Sequence, residues 1–144
     1  MQAQEISRSA LDVEWQRLQV IAQNLANMNT SRTAEGGAYQ PVRLVSGPRG
    51  SFADAIAGQA SGRAAAGRGV QVLGVEPIAG NARRVHEPDH PHADAEGFVT
   101  YPAVDHAGEM TLLIQTSRVY EANLTALSIA HQMYARAMQL GHQS

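Results

Sequence analysis

From Arg17 to Thr30 the chain reads RLQVIAQNLANMNT, and a helix is predicted to run through most of this stretch, from Ile6 to Asn27. Its apolar residues recur at intervals of three, four and seven positions, which is the spacing of one face of an α-helix. Ser7 is the expected N-cap, and the pair Gly36-Gly37 ends any continuation of the helix. The apolar seam of this helix consists of Leu11, Leu18, Ile21, Leu25 and Met28.

A second and longer helix is predicted from Ala107 to Leu140. Asp105 is expected to cap it, Glu109 suits the positive end of the helix dipole, and Gly141 provides a natural stop. A helix of roughly 50 Å exceeds what a small globule needs, so we expect a coiled-coil partner, most simply the first helix. Two heptad series form its seam: Leu113, Tyr120, Leu127 and Tyr134, and Met110, Ser117, Leu124, His131 and Met138.

The middle of the chain has a different composition, since ten of the 13 glycines fall between Gly36 and Gly80. Residues 58–69 are predicted to form a flexible loop. Three short strands are predicted at residues 40–45, 70–75 and 98–101, because each combines β-branched or aromatic residues with nearby turn residues. Strands of this length make a small β-hairpin module that lies against the helices and not a core of its own.

The predicted fold class is therefore mainly α. Long N- and C-terminal helices pair as an antiparallel coiled coil, with a small Gly-rich insert containing β-hairpins between them. Residues 1–32 and 105–144 are assigned to the coiled-coil domain, and residues 33–104 to the insert.

Composition excludes several functions. The net charge of −2 gives no electrostatic reason to bind nucleic acid. The chain has no cysteine, so disulfides and thiolate metal sites are excluded. It has no apolar run of membrane-spanning length, and its first residues lack the basic and apolar regions of a cleaved signal. We therefore expect a protein that stays in the cell or leaves it by a route without such a signal.

Imidazole and carboxylate groups are concentrated in one loop, and such groups suit zinc or another divalent ion. Two prolines interrupt the cluster, and its spacing matches no known helical metal motif, so plain surface residues are the simpler interpretation. Nucleophile elbows and phosphate loops are absent. We predict no enzymatic activity and no cofactor, with metal binding as an open alternative. The cluster consists of His86, Asp89, His90, His92, Asp94 and His106.

Two groups of residues resemble the axial proteins of the bacterial flagellum, the rod and hook family. Near the N-terminus the match is Asn24-Leu25-Ala26-Asn27 followed by Thr30. The C-terminal match is more specific and resembles the proximal rod proteins. It comprises residues 87–99, Pro102, Val104, Glu109-Met110, Arg118, Tyr120-Glu121-Ala122-Asn123 and Leu140-Gly141. Residues 33–67 depart from the family pattern, which would fit a divergent paralogue.

The resemblance implies a structural subunit of the proximal rod of the flagellar basal body, in the periplasmic space. Such subunits assemble through their terminal helices into a hollow tube that transmits torque. Their partners are further copies, other rod proteins and the flagellar type III export apparatus, which needs no cleaved signal peptide. Neither nucleic acid nor membrane insertion is implied.

The residues expected at the assembly interface come from both helices. They are Leu11, Leu18, Ile21, Asn24, Leu25, Asn27, Met110, Leu113, Arg118, Tyr120, Asn123, Leu124, Leu127, Tyr134 and Met138. A second function stays open on the same pattern. A soluble helical-hairpin adaptor that binds a partner helix would also show paired amphipathic helices.

Overall fold

The computed structural model describes residues 2–50 and 69–141. Helices occupy the two ends of the chain and short antiparallel strands lie between them, which confirms the predicted order of elements. The elements are α1 (Gln2–Ala26), β1 (Val42–Pro48), β2 (Val70–Pro77), β3 (Arg83–His86), β4 (Phe98–Tyr101) and α2 (His106–Gly141).

Helix α1 contains neither glycine nor proline, so nothing in its sequence interrupts the helical hydrogen bonds. It begins at Gln2, four residues before the predicted start. The prediction that Ser7 is the N-cap is therefore wrong, because the residues before it are compatible with a helix and continue it. At the other end, the Asn27 side-chain amide donates to the Gln23 carbonyl over 2.9 Å, and the Asn27 backbone N–H donates to the same carbonyl over 3.0 Å. Met28 lies beyond the helix.

Helix α2 begins one residue after Asp105, as predicted. The Glu109 N–H donates to the Asp105 carbonyl over 2.8 Å, so Asp105 occupies the N-cap position. Position 108 requires glycine, because a Cβ there would collide with the Asp105 carboxylate. The helix continues through Gly141, the last described residue of the chain. The stop predicted at Gly141 therefore falls at the edge of the described residues and is not tested.

The two helices pack against each other in opposite directions. Asn24 near the end of α1 bonds Glu109 near the start of α2. The ring of Trp15, earlier in α1, lies 6.3 Å from the ring of Tyr120, later in α2. Moving back along α1 therefore corresponds to moving forward along α2. The antiparallel pairing is present, and coiled-coil packing in the strict sense stays a prediction.

The buried stripe of α1 differs from the predicted seam. Of the seam, Ile21 is buried, at 4% exposure, whereas the leucines are only half-buried. The buried stripe is rotated around the helix by about one residue position from the leucines. This is because β1, β2 and α2 cover the side on which the stripe lies. This corrects the predicted seam of Leu11, Leu18, Ile21, Leu25 and Met28. The buried residues of α1 are Ser9, Val13, Ile21 and Asn24.

The strands form two separate antiparallel pairs. Strands β1 and β2 pair from Val42 with Pro77 to Pro48 with Val70, with a bulge that leaves Leu73 as the extra residue of β2. Leu44 of β1 is buried at 5% exposure. Strand β1 begins at Val42 and not at the predicted residue 40, and β2 extends to Pro77.

Strands β3 and β4 pair from Arg83 with Tyr101 to His86 with Phe98. Strand β4 was expected, and its Val99 is completely buried. Strand β3 was not, because its sequence shows no alternation of apolar and polar residues. Its two arginines instead cover the aromatic rings of β4, with the Arg84 guanidinium 4.7 Å from the Phe98 ring centroid.

None of the helices among residues 2–50 and 69–141 is long and apolar enough to cross a bilayer. The loop predicted at residues 58–69 lies outside the described residues except for Gly69, whose φ is +86°.

Candidate functional site

The most extensively bonded polar residue of the helix pair is Asn24, which is 1% exposed. Its Nδ2 donates to the Val42 carbonyl over 2.8 Å and to Glu109 Oε2 over 3.2 Å. Its Oδ1 accepts from the Tyr39 hydroxyl and from the Val42 N–H, each over 3.1 Å. An amide has two donors and two acceptor positions, so every hydrogen-bonding capacity of this side chain is used. We call Asn24, Tyr39, Val42 and Glu109 the Asn24 node.

The Asn24 node includes two ionisable groups, Glu109, which is buried, and Tyr39, which is half-buried. Glu109 is 7% exposed, which is unusual for a carboxylate without several partners. Burial, together with the nearby Glu109 charge, raises the pKa of the Tyr39 hydroxyl above its ordinary value. Tyr39 therefore stays protonated and keeps donating to Asn24 across the physiological range.

Three polar contacts fasten the β1–β2 hairpin along α1. Asn24 bonds the start of β1, the Arg17 guanidinium donates to Ser46 Oγ over 2.8 Å, and the Val70 N–H donates to Ser9 Oγ over 3.1 Å. Ser9 and Asn24 are 15 positions apart, about 22 Å along a helix. The six steps from Val42 to Pro48 span about 20 Å of strand. The two elements therefore match in length, and we call these three contacts the polar ladder.

Position 69 depends on the same ladder. Gly69 has a positive φ, and a Cβ at this position would collide with the Ser9 hydroxyl. Arg17 also forms an ion pair with Glu14 over 3.2 Å, which orients its guanidinium toward β1. The polar ladder therefore depends on the backbone conformation at Gly69 as well as on the side chains that form its contacts.

The predicted interface residues fall into three groups of exposure, and no contact with another chain tests them. Two are buried within the subunit and serve its own packing: Ile21 and Asn24. Eight are half-buried along the helix pair: Leu11, Leu18, Leu25, Asn27, Leu113, Tyr120, Asn123 and Leu127. Five are exposed: Met110, Arg118, Leu124, Tyr134 and Met138.

The last part of α2 differs from the rest of the helix pair. All residues from His131 to Gly141 are exposed. They include large apolar side chains, with Met133 at 66% and Leu140 at 71% exposure. These 11 residues extend for roughly 16 Å. We call this segment the distal segment of α2.

Several histidines and carboxylates of the predicted cluster make contacts within the subunit. Within the described parts of the chain, no three His, Asp or Glu side chains gather as ligands would. His92 Nδ1 lies 2.8 Å from Ser31 Oγ, and His90 Nδ1 accepts from the His92 N–H over 3.0 Å. Asp94 is bound to Arg84 over 2.6 Å. These histidine and aspartate side chains therefore stabilise the loop between β3 and β4.

Two carboxylates, Asp94 and Glu87, form bonds that shape the β3–β4 hairpin. Asp94 Oδ1 accepts from the Phe98 N–H over 2.8 Å, and this bond, with the Arg84 charge, holds the pKa of Asp94 below its ordinary value. The Tyr101 hydroxyl donates to Glu87 over 2.9 Å, which raises the pKa of Tyr101. The Asp94 interaction is exposed and the Tyr101 interaction is part-buried, and both concern the local shape of the hairpin.

Sequence reasoning missed some of the residues that organise this site. Ser9 and Tyr39 were not singled out, and Glu109 was assigned only to the helix dipole and to the C-terminal match. A signal was present in α2, where residues 109, 113, 116, 120, 123, 127 and 130 recur at three- and four-residue intervals and are buried or half-buried. Because the series includes polar residues, a search for apolar periodicity alone did not identify it.

Two family models match the chain at the segments that carried the resemblance. Residues 5–32 match the model described as "Flagella basal body rod protein". Residues 95–140 match "Flagellar basal body rod FlgEFG protein C-terminal". The first match covers most of α1, and the second covers β4 and most of α2.

Curated relatives match over nearly the whole chain. The flagellar basal-body rod protein FlgC of Bacillus subtilis (strain 168) is 37% identical over 141 residues, 94% of each chain. FlgC of Salmonella typhimurium is 36% identical over 137 residues, covering 95% of this chain and 94% of the relative. FlgC of Borreliella burgdorferi is 30% identical over 146 residues, covering 94% and 93%.

Proposed function

This chain belongs to the FlgC family of flagellar basal-body rod proteins, and we propose that it is a subunit of the proximal rod. The observation that carries this function is the match to FlgC proteins over 94–95% of the chain, from α1 through α2. The chain is thus a structural subunit of the flagellar rod and not an enzyme.

The assembly mechanism that we propose uses the terminal helices. The exposed surface of α2 includes Leu124 at 50% and Ile129 at 51%, and the distal segment adds Met133 at 66%. Apolar surface of this extent on one helix is typical of a protein–protein contact. Contacts between different surfaces of neighbouring copies generate a helical tube when the rotation between the copies does not close into a ring. Such a tube would be hollow and would transmit torque along the rod.

The interface residues follow from this mechanism. We propose that the half-buried and exposed members of the predicted set lie between subunits, in particular Leu124, Leu127 and Tyr134. Asn24 and Ile21 instead act within the subunit, since both are buried there. The helix pair forms one domain of the subunit, and residues 33–104 form an insert that reaches neighbouring subunits.

The partners are further copies of this chain and other rod proteins. We propose that the chain reaches the periplasmic part of the rod through the flagellar type III export apparatus, without a cleaved signal peptide. The resemblance to exported rod proteins supports this route.

The decisive experiment is deletion of the gene in its host, together with any second copy, followed by electron microscopy of isolated basal bodies. We expect missing or truncated rods above an intact membrane ring and export apparatus, with motility restored by the gene on a plasmid. Complete rods in a strain without any copy would overturn the assignment.

A further inference from the structure

The Asn24 node joins three segments that are far apart in the chain. Asn24 lies in α1, Val42 lies 18 residues later in β1, and Glu109 lies 85 residues later in α2. A single side chain thus contacts both terminal helices and the insert. Because Asn24 is 1% exposed, the loss of one of its partners would leave a buried polar group unpaired.

The chemistry of the site requires an amide. The Tyr39 hydroxyl and the Val42 N–H need an acceptor, whereas the Val42 carbonyl and the Glu109 carboxylate need a donor. A carboxylate at position 24 would accept from the first two but could not donate when ionised. An apolar side chain would leave all four groups without this partner.

We propose that Asn24 is a positioning residue that couples docking of the β1–β2 hairpin to pairing of the terminal helices. The Val42 contacts form fully only when the amide is oriented by Glu109 on the opposite side. The hairpin is therefore held in register only after both ends of the chain have come together. This inference concerns the single subunit and does not depend on the assembly that the subunit joins.

The charges around the node make the proposal testable. An aspartate at position 24 would face the Glu109 carboxylate at about the present 3.2 Å, and two carboxylates so close cannot both ionise without a large penalty. Arg17 and Arg43 line the same groove, and Glu14 neutralises the first of them. Tyr39 stays protonated. As the pH falls, the pair comes to share one proton, and this proton replaces the missing donor.

The absence of native cysteine allows a clean reporter. The reporter is a Leu44→Cys variant of the full chain. Leu44 is chosen because it lies on β1 and is 5% exposed. Its alkylation rate is measured at pH 7.5 and pH 5 and divided by the rate of the same chain in urea at the same pH. With Asn24 present we expect slow labelling at both pH values. With Asn24→Asp we expect labelling at least tenfold faster at pH 7.5 and close to the parent at pH 5.

A second substitution separates positioning from simple packing. Adding Glu109→Gln to Asn24→Asp removes one carboxylate, so we expect the pH dependence to disappear. Gln23→Glu places the same added charge on the exposed side of α1 and should leave labelling unchanged. Motility is scored separately, so a failed coupling is distinguishable from a failed rod assignment.

Three results would overturn the proposal. The first is an Asn24→Asp chain that labels like the parent at both pH values, since packing alone would then suffice. The second is a pH dependence that survives Glu109→Gln. The third is a parent reporter that labels as fast as in urea, because the node would then hold nothing in place.

Discussion

The two ends of helix α2 present opposite surfaces. Near its start, Glu109 and Thr116 are buried at 7% and 4% exposure although both are polar. Near its end, Met133 and Leu140 are 66% and 71% exposed although both are apolar. The first region is completed by contacts within the subunit, such as the bond from Asn24 to Glu109. The distal segment lacks an equivalent cover from α1, which starts at Gln2.

This difference indicates that the start of α2 serves folding of the subunit, whereas its end serves assembly with other subunits. Buried polar groups must be satisfied inside the subunit, because an unpaired group would cost about 1–3 kcal/mol. Exposed apolar groups cost little in a free subunit, and their burial becomes favourable when another surface covers them. We therefore expect substitutions near the start of α2 and its partners to affect stability, and substitutions toward its end to affect assembly.

The largest effect is expected from a chain that ends at Ala130. It lacks the distal segment but keeps the Asn24 node and the polar ladder, so we expect a folded subunit that does not enter rods. Motility and electron microscopy of basal bodies measure assembly, and circular dichroism measures folding. A chain that ends at Gly141 is the control and should assemble normally. Normal rods from the shorter chain would contradict the separation.

A smaller loss of assembly is expected from Leu124→Asp. Leu124 is 50% exposed in the subunit, so the free chain should lose at most about 0.5 kcal/mol of stability. At a subunit contact the same change buries an unpaired charge, and we expect motility to fall severely. Thr125→Asp adds the same charge one residue away and serves as the matched control. Equal motility of the two variants would remove Leu124 from the proposed interface.

Stability is the quantity that changes in Ile21→Ala. Ile21 is 4% exposed in the packed region, so truncation should lower the free energy of unfolding by about 2–4 kcal/mol. Ile129→Ala, at 51% exposure on α2, is the counterpart and should change it by no more than about 0.5 kcal/mol. Urea denaturation of both variants measures the difference. Similar losses would show that the two regions are not distinct in the free subunit.

The smallest effect is expected at the β3–β4 hairpin. The folded pKa of Asp94 lies below its unfolded value, chiefly because the carboxylate accepts from the Phe98 N–H. Its contribution is therefore present above the unfolded pKa and is lost as the pH falls through the folded pKa. Asp94→Asn should destabilise the hairpin slightly near neutral pH and progressively less toward pH 2. Amide exchange of the hairpin measures this, and a difference that grows on acidification would contradict it.

The helices and three of the four described strands could be predicted from sequence because their signals are local. Periodicity placed α1 and α2 within four residues at their described boundaries, and β-branched or aromatic residues identified β1, β2 and β4. Strand β3 could not be predicted, because Arg83 and Arg84 are stabilised in the strand by packing over the rings of Tyr101 and Phe98. That contact exists only after β4 is paired.

The candidate site was predictable only in part. The motif from Asn24 to Asn27 was identified through the family resemblance, and the Asn27 side chain bonds back to the Gln23 carbonyl at the end of α1. The role of Asn24 depends on the main chain of Val42 and on Glu109, which are 18 and 85 residues away. No local pattern encodes such partners. The leucine seam was misplaced by about one position for the same reason, because the hairpin determines which side of α1 is covered.

The position of Trp15 has an optical consequence. It is the chain's single tryptophan, it is 54% exposed, and its ring lies 6.3 Å from Tyr120 on the other helix. Excitation near 295 nm therefore selects one emitter located at the seam between the helices. Its emission maximum reports solvent contact at that seam and so responds to pairing of the helices. The unlabelled native chain can thus be followed by fluorescence as its helices come together and as a neighbour covers them.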